Sequence, residues 1–238
     1  MQSCEQRLIE EYSRHYARLN GDLDKPAPAA ARRQLERTYG WLIRDLPAGT
    51  RVLDLGCGAG WLLEWLSRFP HLISEGVDVS PSQVEAARRR IPEVAIHCAD
   101  GLEFLQLRQE VYGAIFCLDV LEHLDEATCW RWLAAIRAAL RSGGFLVCRT
   151  PNAANLLGAY SRYLDLTHRR SFTQTSLTQL LEAAGFVQIG LIRHRAGSIL
   201  GAVRLAAENL LHRTIYLICA HRRERVFTNS ISLVAYRP

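Results

Sequence analysis

From Arg51 onward the chain alternates short β-rich runs with stretches of helical period. The β-rich runs are Arg51–Leu55, Ile73–Asp78, Val94–Cys98, Tyr112–Leu118, Gly144–Arg149, Phe186–Arg193 and Val226–Tyr236. Helical patterns lie at Trp61–Phe69, Ser82–Arg90, Glu126–Arg141 and Thr175–Ala184. Strands separated by helices predict an α/β fold, a doubly wound and mostly parallel sheet with ligand sites at the carboxyl ends of its strands. Upstream, residues 1–20 read as one helix, and a second runs from Ala29 to Asp45 before Pro47 and Gly49 end it. The expected division is a helical cap over residues 1–48 and one α/β domain over 49–238, with a helical insert at 196–225 before the last strand.

Composition adds a setting. Of 238 residues, 49% are hydrophobic and 22% charged, ordinary for a globular chain able to bury a sizeable core. The first twenty residues carry charges throughout, so no signal peptide is expected, and no uncharged run is long enough to span a bilayer. The seven cysteines form no C-x-x-C pair and several sit in apolar runs; they read as reduced thiols of a cytoplasmic protein.

The formal net charge of +5 is unevenly placed: Phe186–Pro238 holds eight arginines against Glu208 and Glu224. Within that stretch, Arg204, Glu208 and His212 lie four residues apart on one expected polar face of a helix, and Arg222, Arg223 and Arg225 close it. The 199–225 segment is expected to be a lid packed on the domain or a helix resting at the inner membrane face against anionic headgroups. No aromatic-interleaved basic platform accompanies it, which argues against nucleic acid.

The chemistry concentrates in "RVLDLGCGAGWL". Its glycines, Gly56, Gly58 and Gly60, are spaced G-x-G-x-G. A dinucleotide fingerprint needs its third glycine one place later, where this chain has Trp61. Asp54 opens the turn. A fixed anion suits a cationic ligand better than a pyrophosphate. Asp78, at the end of the next β run, is placed to accept from ribose hydroxyls, and Asp100, after the third, can accept from an adenine amine.

Together "VLDLGCGAG", "GVDVS", "CADG", "FCLDVLEHL" and "LRSGGFLVCRTPN" resemble, in order and spacing, the class I S-adenosylmethionine-dependent methyltransferases. The resemblance implies a seven-stranded sheet with an antiparallel last strand and S-adenosylmethionine as cofactor. It assigns Asp54, Gly56, Gly58 and Gly60 to the methionine part, Asp78 and Val79 to the ribose, Asp100 and Gly101 to the adenine, and Cys117 to the strand-end backbone. "CLDVLEH" stands where a DNA-base aminomethylase would carry an Asn/Asp-Pro-Pro-aromatic box. Cys117 lacks the preceding proline of a cytosine-C5 nucleophile and reads as a buried strand cysteine.

Two histidines are candidates for the acceptor side. Asp119, Glu122 and His123 would share one helical face, and His168 lies with Asp165 in a loop after the fifth strand. Three readings stay open: the histidines fix the loop, one of them is the base toward a hydroxyl, or Asp119, Glu122, His123 and His168 gather a divalent ion. The last is similar to the small-RNA ribose methyltransferases, with Asp119 one carbon shorter than their first glutamate; a metal is not expected. The stretch "YLDLTHRRSFTQTSLTQLLEAAGF" is similar to bacterial methyltransferases encoded among sugar and cell-surface polysaccharide enzymes, which implies a saccharide hydroxyl as acceptor, alone or on a lipid or nucleotide carrier. A phenolic quinone precursor is the alternative acceptor, and a non-catalytic cofactor-binding partner domain is the alternative role.

Overall fold

The computed structural model of the chain describes residues 28–194, 196–219 and 226–238. The helix expected over 1–20 and the arginines at 222, 223 and 225 lie outside these residues. The described elements are α1 (Ala29–Ile43), β1 (Thr50–Leu55), α2 (Trp61–Leu66), β2 (Leu72–Asp78), α3 (Pro81–Arg90), β3 (Ala95–Cys98), α4 (Gly101–Gln106), β4 (Tyr112–Leu118), α5 (Glu126–Ala139), β5 (Leu140–Pro151), α6 (Gly158–Tyr163), α7 (Gln174–Ala183), β6 (Val187–Leu191), α8 (Ile199–Ile218) and β7 (Ser230–Tyr236).

The seven strands form one sheet in the order β3-β2-β1-β4-β5-β7-β6. β1 to β5 pair in parallel, and β7 runs antiparallel between β5 and β6. The strand order reverses between β1 and β4, and there the loops after these strands part to leave a crevice. Alternation along the strands feeds two cores. Leu53, Leu55, Ile115 and Leu146 join Leu133 and Ile136 of α5 on one face. Val52, Phe116 and Val147 join Tyr39, Trp65 and Val84 on the other. α1 belongs to the second core: Tyr39 packs edge-on against Phe116, and the indole N–H of Trp65 donates to Glu36.

Local chemistry sets the helix starts. Asp125 accepts the Thr128 amide at the start of α5, Pro81 occupies the first turn of α3, and Thr173 and Ser176 form a capping box on α7.

Several boundaries differ from the sequence expectation. β7 begins at Ser230 rather than Val226, because the Asn152 and Asn155 side-chain amides claim the carbonyls of Val226, Phe227 and Thr228. β6 keeps only Val187–Leu191, and β5 extends to Pro151. α6 was not visible in the pattern. In α8 the Arg204–Glu208 pair is exposed as expected, but His212 is not on that polar face. It is buried, accepting the Leu156 amide at Nε2 and stacking on Phe227, so it fastens α8 to the domain.

Candidate active site at the ends of β1, β2, β4 and β5

The glycine turn is pinned from below and beside. The amides of Gly56 and Cys57 both donate to the Val77 carbonyl on β2. Gly56, Gly58 and Gly60 all have positive φ, at 81°, 50° and 81°. At Gly56 a Cβ would also collide with Val120, and at Gly60 it would press on Ala87 of α3 at 3.0 Å. The third glycine therefore serves close packing of α3, and Trp61 lies beyond the tight point.

Asp54, the next-to-last residue of β1, is almost wholly buried, and no hydrogen bond reaches its carboxylate among the described residues. Burial first, then the nearby Asp78 charge, pushes its pKa up to about 8. A buried carboxylate without a donor is a site wanting a cation. Its chemistry fits the ammonium and sulfonium of S-adenosylmethionine.

Asp78 does something its spacing did not reveal. Its Oδ2 accepts the Gly58 amide at 2.9 Å and its Oδ1 the Ser80 amide at 2.8 Å. Asp78 thus fastens the glycine turn to β2. Burial raises its pKa against these donors. Val79 beside it is half exposed, at the crevice. Asp100 caps α4, one oxygen accepting from the Leu102 and Glu103 amides. Gly101 is explained by packing, since a Cβ there would meet the Trp132 ring at 2.6 Å. Cys117 is wholly buried in β4, and burial pushes its thiol far up, which leaves it an unreactive packing residue.

On the acceptor side the structure brings together part of the expected set. Glu122 and His123 sit in a tight 3-10 turn after β4, and the Glu122 carbonyl accepts the amides of Arg169 and Arg170 from the loop after β5. That clasp sets the His123 and His168 rings 4.8 Å apart, centre to centre. Glu122, His123 and His168 offer ligand atoms that all lie within 4.8 Å of one another, a group able to hold a divalent ion. The Glu122 side chain is 1% exposed and its Oε2 has no partner. Burial, then the Asp119 charge, drives its carboxyl well above the usual range.

Asp119 does not join them. The sequence placed it on the same face, but it precedes the turn with φ of 56° and is held bidentately by Arg149. Arg149 stays charged despite burial because of Asp119. In the sequence this arginine reads only as the end of a buried strand.

A relay sits behind His123. The Asp165 carboxylate accepts both the amide and the hydroxyl of Thr167, at 2.8 and 2.7 Å. These donors hold the Asp165 pKa down, against burial. With its proton given to Asp165, the Thr167 oxygen accepts from Nδ1–H of His123 at 2.7 Å. That fixes the tautomer and puts the ring's lone pair on Nε2. Burial first, and then His168, holds the His123 pKa down at about 4, so the ring is neutral near pH 7. His168 donates its Nδ1–H to the Ser161 carbonyl of α6. Thr167 was not singled out from sequence, although its place between Asp165 and His168 in "DLTH" was the available signal.

A seven-stranded sheet with one reversed strand, a three-glycine turn and acids at three successive strand ends defines the S-adenosylmethionine-dependent methyltransferase class. Residues 7–189 match the model of a methyltransferase domain family, and the chain belongs to that family. It is 30% identical over 172 residues to a ubiquinone biosynthesis O-methyltransferase of Dinoroseobacter shibae, covering 64% of this chain and 67% of that one. It is 33% identical over 110 residues to the enzyme of the same name from Xanthomonas axonopodis pv. citri, covering 44% and 45%. The chain spans about half the length of several of the curated relatives it matches. Its fold is shared with a SAM-dependent methyltransferase from Archaeoglobus fulgidus, with a TM-score of 0.70 at 19% identity over 94% of this chain and 99% of that one.

Proposed function

We propose that the chain is an S-adenosylmethionine-dependent O-methyltransferase whose acceptor is a saccharide hydroxyl, free or carried on a lipid or nucleotide. The observation that carries this reading is the Asp165–Thr167–His123 chain of hydrogen bonds, which ends on an imidazole that is neutral near pH 7.

The cofactor supplies a methyl group on a sulfonium, ready for in-line displacement. The protein's part is to hold charge and move a proton. When S-adenosylmethionine is bound, Asp54 would hold its cationic methionine end, Asp78 and Val79 its ribose, and Asp100 with Gly101 its adenine. Nε2 of His123 takes the acceptor's hydroxyl proton as the oxygen attacks. The resulting imidazolium is stabilised through Thr167 by the Asp165 charge. A sugar hydroxyl is a weak acid, so this proton transfer contributes about 10²–10⁴ in rate. His168 packs edge-on against the ring and adds to the burial that holds its pKa low. Ala29–Ile43, the described part of the expected cap, is built into the second core through Tyr39, Leu42 and Ile43.

A phenolic quinone precursor is the second reading, favoured by the ubiquinone relatives. The two separate in a methyl-transfer assay offering nucleotide-sugar, lipid-linked sugar and dihydroxybenzoate acceptors. Turnover on sugars supports the first reading, and turnover on phenols alone replaces it with the second. Loss of turnover in EDTA, restored by Mg²⁺ or Mn²⁺, would change the role of Glu122, His123 and His168 from proton transfer to cation ligation.

A further inference from the structure

α8 is built the wrong way round for a helix of a water-soluble domain. Such helices turn their apolar stripe to the core. Here the side that meets the domain is fastened by polar groups: His212 through the Leu156 amide, and the Tyr216 hydroxyl donating to the Ala154 carbonyl. The apolar stripe faces outward. Ile199, Val203, Leu210 and Leu217 lie along it at 86%, 61%, 67% and 59% exposure. Leu200 and Ile218 widen it, again largely exposed. A helix of 20 residues carries this stripe for about 30 Å.

The apolar surface does not stop at α8. Leu156 is where the two elements meet, and from there α6 and its flanks add exposed Leu157, Tyr160, Tyr163 and Leu166. Exposed apolar side chains gathered on α8 and on α6 of a single chain mark a contact surface. Tyrosines suit a boundary with an apolar body on one side and water on the other. Arginines border the patch: Arg213 on α8 and Arg162 beside Tyr163 on α6, while Arg204 is paired with Glu208. The sequence following α8 adds Arg222, Arg223 and Arg225. A second copy on the same face would bring these like charges together, whereas anionic headgroups would neutralise them.

We propose that the outward face of α8, continued by α6, docks on an anionic bilayer and sets the acceptor mouth against it. The mouth is one hydrogen bond away, since the α6 carbonyl of Ser161 holds His168. The acceptor would then be a hydroxyl compound held in the membrane by a lipid. That last step rests on the hydroxyl-acceptor reading above; docking itself does not.

Flotation of the full chain with phosphatidylcholine vesicles, with and without phosphatidylglycerol, tests it. Binding should favour the anionic vesicles by about tenfold or more. Leu210→Glu with Leu217→Glu, both on the exposed stripe, should abolish flotation while leaving melting temperature and S-adenosylmethionine affinity unchanged. Equal binding to both vesicle types, or flotation of the double variant, overturns the proposal. A dimer in light scattering that the double variant dissociates would also overturn it and assign the face to a second copy. Flotation without methyl transfer to any hydroxyl would leave docking standing and remove the acceptor reading alone.

Discussion

Asp54 and His123 are both shifted by burial, and both shifts favour the neutral form, yet their consequences for pH run in opposite directions. The Asp54 carboxyl, at about 8 in the folded chain, lies far above the usual carboxylate value of about 3.9. The folded state therefore holds a proton that the unfolded state releases, and ligand-free stability falls as pH rises from about 4 to about 8. A cationic cofactor binds the ionised form, so its affinity should rise with pH up to about 8, with proton uptake by the buffer on binding at pH 7. Titration calorimetry in buffers of different ionisation enthalpy checks this, and Asp54→Asn should remove the pH dependence. His123, at about 4, lies below the unfolded value of about 6.5. There the unfolded state takes the proton first, so stability is complete above about 6.5 and is lost as pH falls toward 4. The acid limb of kcat/KM should correspondingly lie near 4 rather than 6.5. His123→Gln should lower kcat by about 10²–10⁴ and leave cofactor affinity nearly intact. His168→Ala, removing a neighbour that depresses the His123 pKa, should move the acid limb upward; an unmoved limb together with wild-type His123→Gln turnover would make the histidines loop supports.

At the scale of elements, the tightest constraint is the turn between β1 and α2. Gly56→Ala meets both a positive φ and the Val120 side chain. It should cost about 1–3 kcal/mol of stability, read as a shift in melting temperature, with part recovered by Val120→Ala. Asp78→Ala removes the acceptor for the Gly58 amide as well as for a ribose, so it should weaken S-adenosylmethionine binding by about 1–3 kcal/mol and lower the melting temperature together. These elements could be read in the sequence because their signals are local: a strand period ending in Asp54, then glycines at alternate positions, then a helical period. The start of β7 could not be, because "VFTN" has a strand pattern and only the distant Asn152 and Asn155 amides take its carbonyls. Asp119 was misplaced for a related reason. Helical spacing put it beside Glu122, but its capture by Arg149, thirty residues on, draws it out of the turn. His212 read as polar surface because four-residue spacing ignores the Leu156 amide waiting for it. The side-chain period places elements; it does not reveal which polar groups a fold will bury and satisfy.

At the scale of the whole molecule, charge and apolar surface divide the labour. The acids of the cofactor crevice all precede residue 120, while the basic excess follows residue 186. Changing Arg222, Arg223 and Arg225 together to Ala should raise the KM for a phosphate-bearing acceptor, more at low salt than at high, because exposed charges are screened within about 8–10 Å at physiological ionic strength. Cofactor affinity should stay within about twofold, a shift under about 0.5 kcal/mol. Among the described residues no helix is long and apolar enough to cross a membrane. Three strand-end acids and a G-x-G-x-G turn suit a sulfonium cofactor rather than a dinucleotide. Titration calorimetry of the purified chain at pH 8 with S-adenosylmethionine, its demethylated product and NAD tests this most directly. The first two should bind saturably, S-adenosylmethionine more weakly after Asp54→Asn, and NAD should give no heat; saturable NAD binding, or no binding of S-adenosylmethionine, would rule out a sulfonium site.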